Sequence, residues 1–147
     1  VAHGVIHPDL STTFAERLVV IERELVAVIV AYAPKQASVE GLFFAKDPQA
    51  AAKLGHARGV ALLVCARAGM TVAEYPPARV KRTIAGGGRA DKKQVAQMVR
   101  VILRLNDPPP SDAADALALA VTHLSHSTLR PLPAHLGPAR HDKMRAP

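Results

Sequence analysis

The stretch Ser111-Asp112-Ala113-Ala114-Asp115-Ala116-Leu117-Ala118-Leu119-Ala120 constrains this chain more than any other. Three prolines precede it, Ser111 has the character of an N-cap, and strong helix formers follow, so a helix begins here. From Ala116 to Leu124 the residues are apolar nearly all round, which predicts a buried helix. Asp112 and Asp115, three apart, then share one face of its first turn. Two carboxylates are thereby held at the mouth of an immobile element, in the oxygen chemistry that suits a hard divalent cation. Acids in a first turn also answer the helix dipole, with or without metal. What separates the two readings is the company these acids keep elsewhere in the chain.

Charge is the first such company. The net charge of +7 over 147 residues is unevenly spread. Residues 1–78 carry seven basic and seven acidic side chains. Residues 79–104 carry Arg79, Lys81, Arg82, Arg89, Lys92, Lys93, Arg100 and Arg104 against Asp91 alone, a local +7. Asp107, Asp112 and Asp115 follow at once. A basic block beside an acidic cluster is the pattern of a polyanion gripped next to a metal site. A merely solvated helix face would explain the basic residues but not the abrupt change of sign.

The length suits one domain with a core of its own, and the 49% hydrophobic content can fill it. The single cysteine, Cys65, excludes an internal disulfide framework and suits a reducing cytoplasm. It falls on an apolar helix face and reads as a small core residue. The longest apolar run, Leu18 to Tyr32, is interrupted by Glu22-Arg23-Glu24, so no membrane span is expected, and no signal peptide is evident.

Taken in order, Val1–Ile6 reads as a strand and Pro8-Asp9 as a turn. Thr13-x-x-Glu16 has the form of a capping box for a helix to about Tyr32, stopped by Pro34. Ser38 to Phe44 reads as a short strand running into a loop. Asp47-Pro48 starts a second helix, ended by Gly69, whose Gly55-His56-Ala57-Arg58-Gly59 invites close approach, within the chain or from a second copy. Thr71–Tyr75 is the next strand. A short helix follows around Ala78 to Thr83, then a loop of Gly86-Gly87-Gly88. A further helix, capped by Asp91, ends near Leu105. The alternation predicts an α/β domain over residues 1–126, while residues 127–147, rich in Pro, Arg and His, predict a disordered tail.

Glu40 ends a strand of otherwise apolar or small residues, where an ionised carboxylate must be paired or bound to a cation. Were that strand end to meet the acidic helix, Glu40, Asp112 and Asp115 would form a three-carboxylate cluster, self-repelling unless it holds metal. Zinc is excluded by ligand spacing, and Ser11, Ser38 and Ser111 are loop or cap residues rather than nucleophiles. His123 sits eight residues beyond Asp115, roughly 12 Å along the axis, too far to share an ion; it reads as a helix-end or core histidine. His56 reads as a surface or interface residue. Phe43 and Phe44 are two of only three phenylalanines. One could pack in the core, and the other could stack on unpaired bases from a loop.

Several blocks then fall into one pattern: Val39-Glu40-Gly41-Leu42-Phe43-Phe44-Ala45-Lys46, Lys53-Leu54-Gly55-His56-Ala57-Arg58-Gly59, Glu74-Tyr75 with Val80-Lys81, Gly88-Arg89-Ala90-Asp91-Lys92, and Asp112-Ala113-Ala114-Asp115-Ala116-Leu117-Ala118. In order and spacing the chain resembles the RuvC Holliday junction resolvases. The resemblance implies a ribonuclease-H-like mixed sheet flanked by helices, a homodimer, and magnesium-dependent cutting of four-way junction DNA by paired symmetric nicks. It implies two Mg2+ ions per site, with Mn2+ as a substitute, and the RuvA–RuvB branch-migration complex as a further partner in the cytoplasm. It places metal ligands on Glu40, Asp112 and Asp115 and a base-contacting aromatic on Phe43. Lys81 and Lys92 fall at the scissile phosphate, and Lys46, Arg79, Arg82, Arg89 and Lys93 belong to the same basic surface. The family pattern opens with a strand ending in Asp-Pro-Gly, whose aspartate is the first ligand, and a second strand. Neither is found here. The expectation is therefore about 30 further N-terminal residues in the natural protein, and little or no cutting by the 147-residue chain itself. A non-catalytic junction-binding module, or a related nuclease with another substrate, is the alternative.

Overall fold

The computed structural model describes residues 1–41, 47–87 and 90–127. Seven elements follow one another: α1 Phe14–Tyr32, β1 Gln36–Glu40, α2 Pro48–Arg67, β2 Thr71–Tyr75, α3 Pro77–Ala85, α4 Lys92–Leu103 and α5 Ser111–Ser127. The capping box at α1 is complete, with the Thr13 hydroxyl accepting from the Glu16 N–H at 3.3 Å and the Thr13 N–H donating to the Glu16 carboxylate at 2.8 Å. Ala33 closes the helix in the left-handed region (φ 44°), just ahead of Pro34. Asp47 caps α2 and Asp91 caps α4, the latter in a second capping box with Gln94.

Three expectations are corrected. Val1–Ile6 forms no strand, because no neighbouring strand among the described residues takes up its backbone hydrogen bonds. Ser111 is not a cap but the first residue of α5, since the first intrahelical bond runs from the Ala114 N–H to the Pro110 carbonyl at 2.8 Å. Nor is α5 buried all round. Ala113, Ala114, Leu117, Ala118 and Thr122 are buried, whereas Ala116, Ala120 and Leu124 are exposed.

β1 and β2 pair in parallel from Gln36 opposite Thr71 to Glu40 opposite Tyr75, with α2 as the crossover that a parallel pair requires. Two hydrogen bonds extend the ladder past β1, from the Gly41 N–H to the Tyr75 carbonyl at 2.9 Å and from the Thr71 N–H to the Lys35 carbonyl at 3.2 Å. The core lies between β2, α3, α4 and α5, where Tyr75, Val80, Ile84, Ala90, Val95, Val99, Leu117 and Ala118 meet. Thr122, fully buried in α5, satisfies its hydroxyl by donating to the Ala118 carbonyl at 2.8 Å. Cys65 is buried in α2, and burial pushes its thiol pKa up, in keeping with a core residue rather than a reactive one. α1 buries no residue completely and lies along α2, joined through Arg67–Glu22 at 3.3 Å and an edge contact between Phe14 and His56. Among the described residues no helix is long and apolar enough to cross a membrane.

Candidate active site and nucleic-acid interface

Four separate elements converge on one cavity of about 270 Å3. β1 delivers Glu40 at its C-terminal end, where parallel strands characteristically expose functional side chains. α3 turns away from β2 through Pro76-Pro77 and contributes Val80 and Lys81. α4 opens with Lys92, and α5 contributes Asp115 from its first turns. Val80, Val95 and Leu119 make the lining apolar beneath these four charges. Lys92 reaches Asp115 across 3.5 Å, with 74% and 48% of their side-chain surfaces exposed. An ion pair so open to solvent contributes only about 0.2–1 kcal/mol. Lys92 can therefore leave Asp115 for a stronger anion at little cost.

Asp112 is exposed and is not among the residues lining that cavity, although it precedes Asp115 by one helical turn. Among the described residues no three His, Cys, Asp or Glu side chains stand close enough to hold an ion by themselves. Glu40 and Asp115 are thus brought together, and Asp112 stands apart. Two carboxylates are hard oxygen donors that could hold a divalent cation only with further ligands from substrate phosphate and water.

Arg58 is the residue that sequence reasoning missed. Its side chain, 17% exposed, crosses from α2 to the ends of both strands. The guanidinium Nε donates to the Glu40 carbonyl oxygen at 3.4 Å, and Nη2 pairs with the Glu74 carboxylate. Arg58 thereby fixes the backbone from which the Glu40 side chain departs. Nothing local announces this, because the partners lie 18 and 16 positions away in the chain; only the arginine's place in a mostly apolar helical segment hinted at a paired cation.

The remaining basic candidates divide. Arg79 and Arg82 are exposed and line a second cavity, of about 530 Å3, with Pro76, Ala78, Thr83 and His126. Lys93 is exposed and lines none of the cavities described. Phe43, Lys46 and Arg89 lie outside the described residues, as do Phe44, Gly88 and residues 128–147. His123 is half-buried, with Nδ1 3.0 Å from the Tyr75 hydroxyl and Nε2 3.2 Å from the Gln36 side-chain oxygen. It is a core histidine away from the acidic cavity. His56 is exposed, with Nδ1 2.6 Å from the Ala52 carbonyl. A Cβ built on Gly55 or Gly59 meets nothing within 4 Å, so neither glycine serves a close approach within the described chain.

Comparison with known proteins places the chain in a family. The family model described as crossover junction endodeoxyribonuclease RuvC matches residues 1–123. The crossover junction endodeoxyribonuclease RuvC of Sorangium cellulosum is 66% identical over 125 residues, covering 85% of this chain and 70% of that protein. Its counterpart in Rhodopseudomonas palustris strain BisA53 is 48% identical over 123 residues, covering 84% and 71%. Among solved structures, Thermus thermophilus RuvC superposes with a TM-score of 0.79 at 36% identity, over 88% of this chain and 78% of that one. The same protein in complex with a Holliday junction substrate gives 0.83 at 36% identity, over 88% and 79%.

Proposed function

The chain belongs to the RuvC family of crossover junction endodeoxyribonucleases, with that family's ribonuclease-H-like α/β fold, and from this premise we propose that it acts on four-way DNA junctions through the Glu40–Asp115 cavity. The observation that carries the reading is the meeting of Glu40, Asp115, Lys81 and Lys92, from four elements, in one cavity with an apolar lining.

In this reading Glu40 and Asp115, with Asp112 one turn earlier, supply the hard oxygen donors for magnesium, for which manganese can substitute. When bound, two such ions supply an activated water and charge stabilisation for in-line displacement at a phosphodiester. The chain's own residues do the rest. Lys81 and Lys92 neutralise the scissile phosphate and orient it. Lys92 does so by exchanging the Asp115 carboxylate for the phosphate, so that the acid is released as the substrate docks. Val80, Val95 and Leu119 form the apolar lining against which these charged side chains stand. Arg79, Arg82 and Lys93 belong to the flanking DNA-binding surface, and so, from the family pattern, do Lys46, Arg89 and the aromatic Phe43. The products are a 5′ phosphate and a 3′ hydroxyl.

A homodimer is part of the proposal, since a two-fold pair of sites on a two-fold junction makes paired symmetric nicks a consequence of geometry. It is supported by the stripe Gly55, Gly59, Leu63 at i, i+4 and i+8 on α2, open at both glycines and 49% exposed at Leu63. Residues 1–126 would act as one domain, with 127–147 as a tail, in the cytoplasm alongside the RuvA–RuvB complex.

The deciding experiment uses a fluorescent four-way junction with the 147-residue chain and with a form carrying an added strand that ends in Asp-Pro-Gly ahead of Val1, each with its Glu40→Gln and Asp115→Asn variants. Cutting in magnesium should vanish in both variants while junction binding in calcium stays intact. Loss of binding and cutting together in folded variants would make these acids structural. Binding without cutting by both forms would favour a junction-binding module, and preferential cutting of an RNA–DNA hybrid would favour a different nuclease.

A further inference from the structure

α3 is a partition. Pro77, Val80 and Lys81 face the Glu40–Asp115 cavity, while Ala78, Arg79, Arg82 and Thr83 face the larger cavity on the helix's other side. A helix with its side chains is about 10 Å across, so the two are separate sites rather than two ends of one. Among the described residues no carboxylate lines the second cavity, which gathers two guanidinium groups, a threonine and an imidazole.

Its cations are organised rather than merely exposed. The Arg79 guanidinium lies over the ring of buried Tyr75, 5.6 Å from its centroid. Arg79 Nε donates to His126 Nε2 at 3.3 Å. The opposite ring nitrogen fixes the direction of that bond: His126 Nδ1 is 2.8 Å from the Thr122 carbonyl oxygen, which can only accept, so Nδ1 carries the proton and Nε2 the lone pair. Neither contact uses the two terminal nitrogens of Arg79, the pair that forms a bidentate grip on a phosphate. Tyr75 is itself anchored through its hydroxyl to His123, so the platform under Arg79 is tied into the core.

We propose that Arg79, Arg82, Thr83 and His126 form a second phosphodiester subsite, across α3 from the cutting cavity, which holds a backbone phosphate of the same junction away from the one that is cut. The proposal rests on the nucleic-acid reading above and deepens it by giving the substrate a second point of attachment. Two attachment points on opposite sides of a rigid helix fix the direction of the strand between them, which one cavity cannot do. The subsite also carries a proton signature. The groups facing His126 are Arg79 and Arg82 from α3, the Tyr75 ring from β2, and the Thr122 carbonyl on its own helix. A phosphate bound by these guanidiniums draws a proton to His126 Nε2, which gives up its bond from Arg79 Nε and donates to the phosphate instead.

The test is a histidine-ring NMR titration of the full protein, without divalent ions so that nothing is cut. The added ligands are a short single-stranded oligonucleotide and, separately, the four-way junction. The His126 midpoint should rise on DNA binding by more than that of His56, which is exposed on α2 and reports the general field of the DNA. In Arg79→Gln the extra rise should disappear, and Arg79→Gln and Arg82→Gln should each weaken junction binding by about tenfold, the scale of one charge-assisted contact. Equal shifts at His56 and His126, or an unmoved His126 in protein that binds DNA, overturn the subsite. Because no readout requires cleavage, an inactive enzyme with a responding His126 would sink only the nuclease reading, and an active one with a silent His126 only the subsite.

Discussion

Replacing Arg58 by glutamine tests whether the clamp at the strand ends matters for chemistry or only for stability. The substitution removes one long hydrogen bond to the Glu40 carbonyl and one ion pair to a carboxylate 55% exposed. The first contributes about 1 kcal/mol at that length, the second about 0.5 kcal/mol after solvent screening, and the lost methylene of the packed stem about 0.8 kcal/mol. The sum, about 2 kcal/mol, corresponds to a fall in melting temperature of roughly 4–8 °C for a domain of this size. Those figures concern folding alone. If Arg58 also fixes where Glu40 points, a displacement of the carboxylate by about 1 Å costs up to ~100-fold in rate. Single-turnover cleavage at 25 °C, where the variant remains folded, should therefore fall by roughly 10- to 100-fold. Junction affinity measured in calcium should move little. Arg58→Lys keeps the charge for Glu74 but reaches the carbonyl less well, and should lie between the two. A full cleavage rate in a variant with a lowered melting temperature would refute the positioning role and leave Arg58 as a structural cation.

Three further outcomes follow from other contacts. Lys92→Ala should change stability by only a few tenths of a kcal/mol, because its pair with Asp115 is open to water; its salt dependence of junction binding should flatten by about one unit of slope, and an unchanged slope would remove Lys92 from the phosphate contacts. Val99, fully buried where α4 meets the core, should cost about 2–3 kcal/mol on truncation to alanine, two methyl groups plus an unfilled cavity, read by urea denaturation; a cost below about 0.5 kcal/mol would mean that α4 is loosely seated. Glu16 accepts from the Thr13 hydroxyl and N–H, which holds its carboxyl below the ordinary 4.5, so its contribution to α1 is complete above that pH and is lost as pH falls through the folded value. A Glu16→Gln variant should accordingly lose less helix than the parent between pH 5 and 3, and identical acid limbs would remove the capping box from the account.

Most of the helix boundaries were legible because their causes are local. Thr13 with Glu16, Asp47 with Pro48, and Asp91 with Gln94 each announce a helix start within four residues, and the structure has all three. Ser111 misled for a physical reason. Proline at 110 occupies the cap position with its carbonyl, and a serine next to a proline run can as well be the first helical residue as the cap. Val1–Ile6 misled because a strand is not a local object: apolar alternation describes a side chain's preference, but only a neighbouring backbone makes the strand.

The site divides along the same line. Glu40 and Asp115 could be singled out separately, one as an acid at a strand end, the other as an acid at the mouth of a largely apolar helix, but the burial argument for Glu40 fails: it is exposed, at the end of a strand that also carries Gln36 and Ser38, and needs no partner on that ground. Their meeting depends on the parallel register that puts Glu40 level with Tyr75 and on the packing of α5 against β1, neither of which is written in any window of sequence. The basic block shows the other side of the problem. Its charge is plain in the composition, yet Arg79, Lys81 and Arg82, within four residues, go to two different cavities because a helix turns 100° per residue. In the proposed reading, charge density calls for a polyanion, whereas helical phase assigns each cation to one cavity or the other. A substitution series along α3 should alternate accordingly, with Lys81→Ala acting on cutting and Arg79→Gln or Arg82→Gln acting on the grip of the strand.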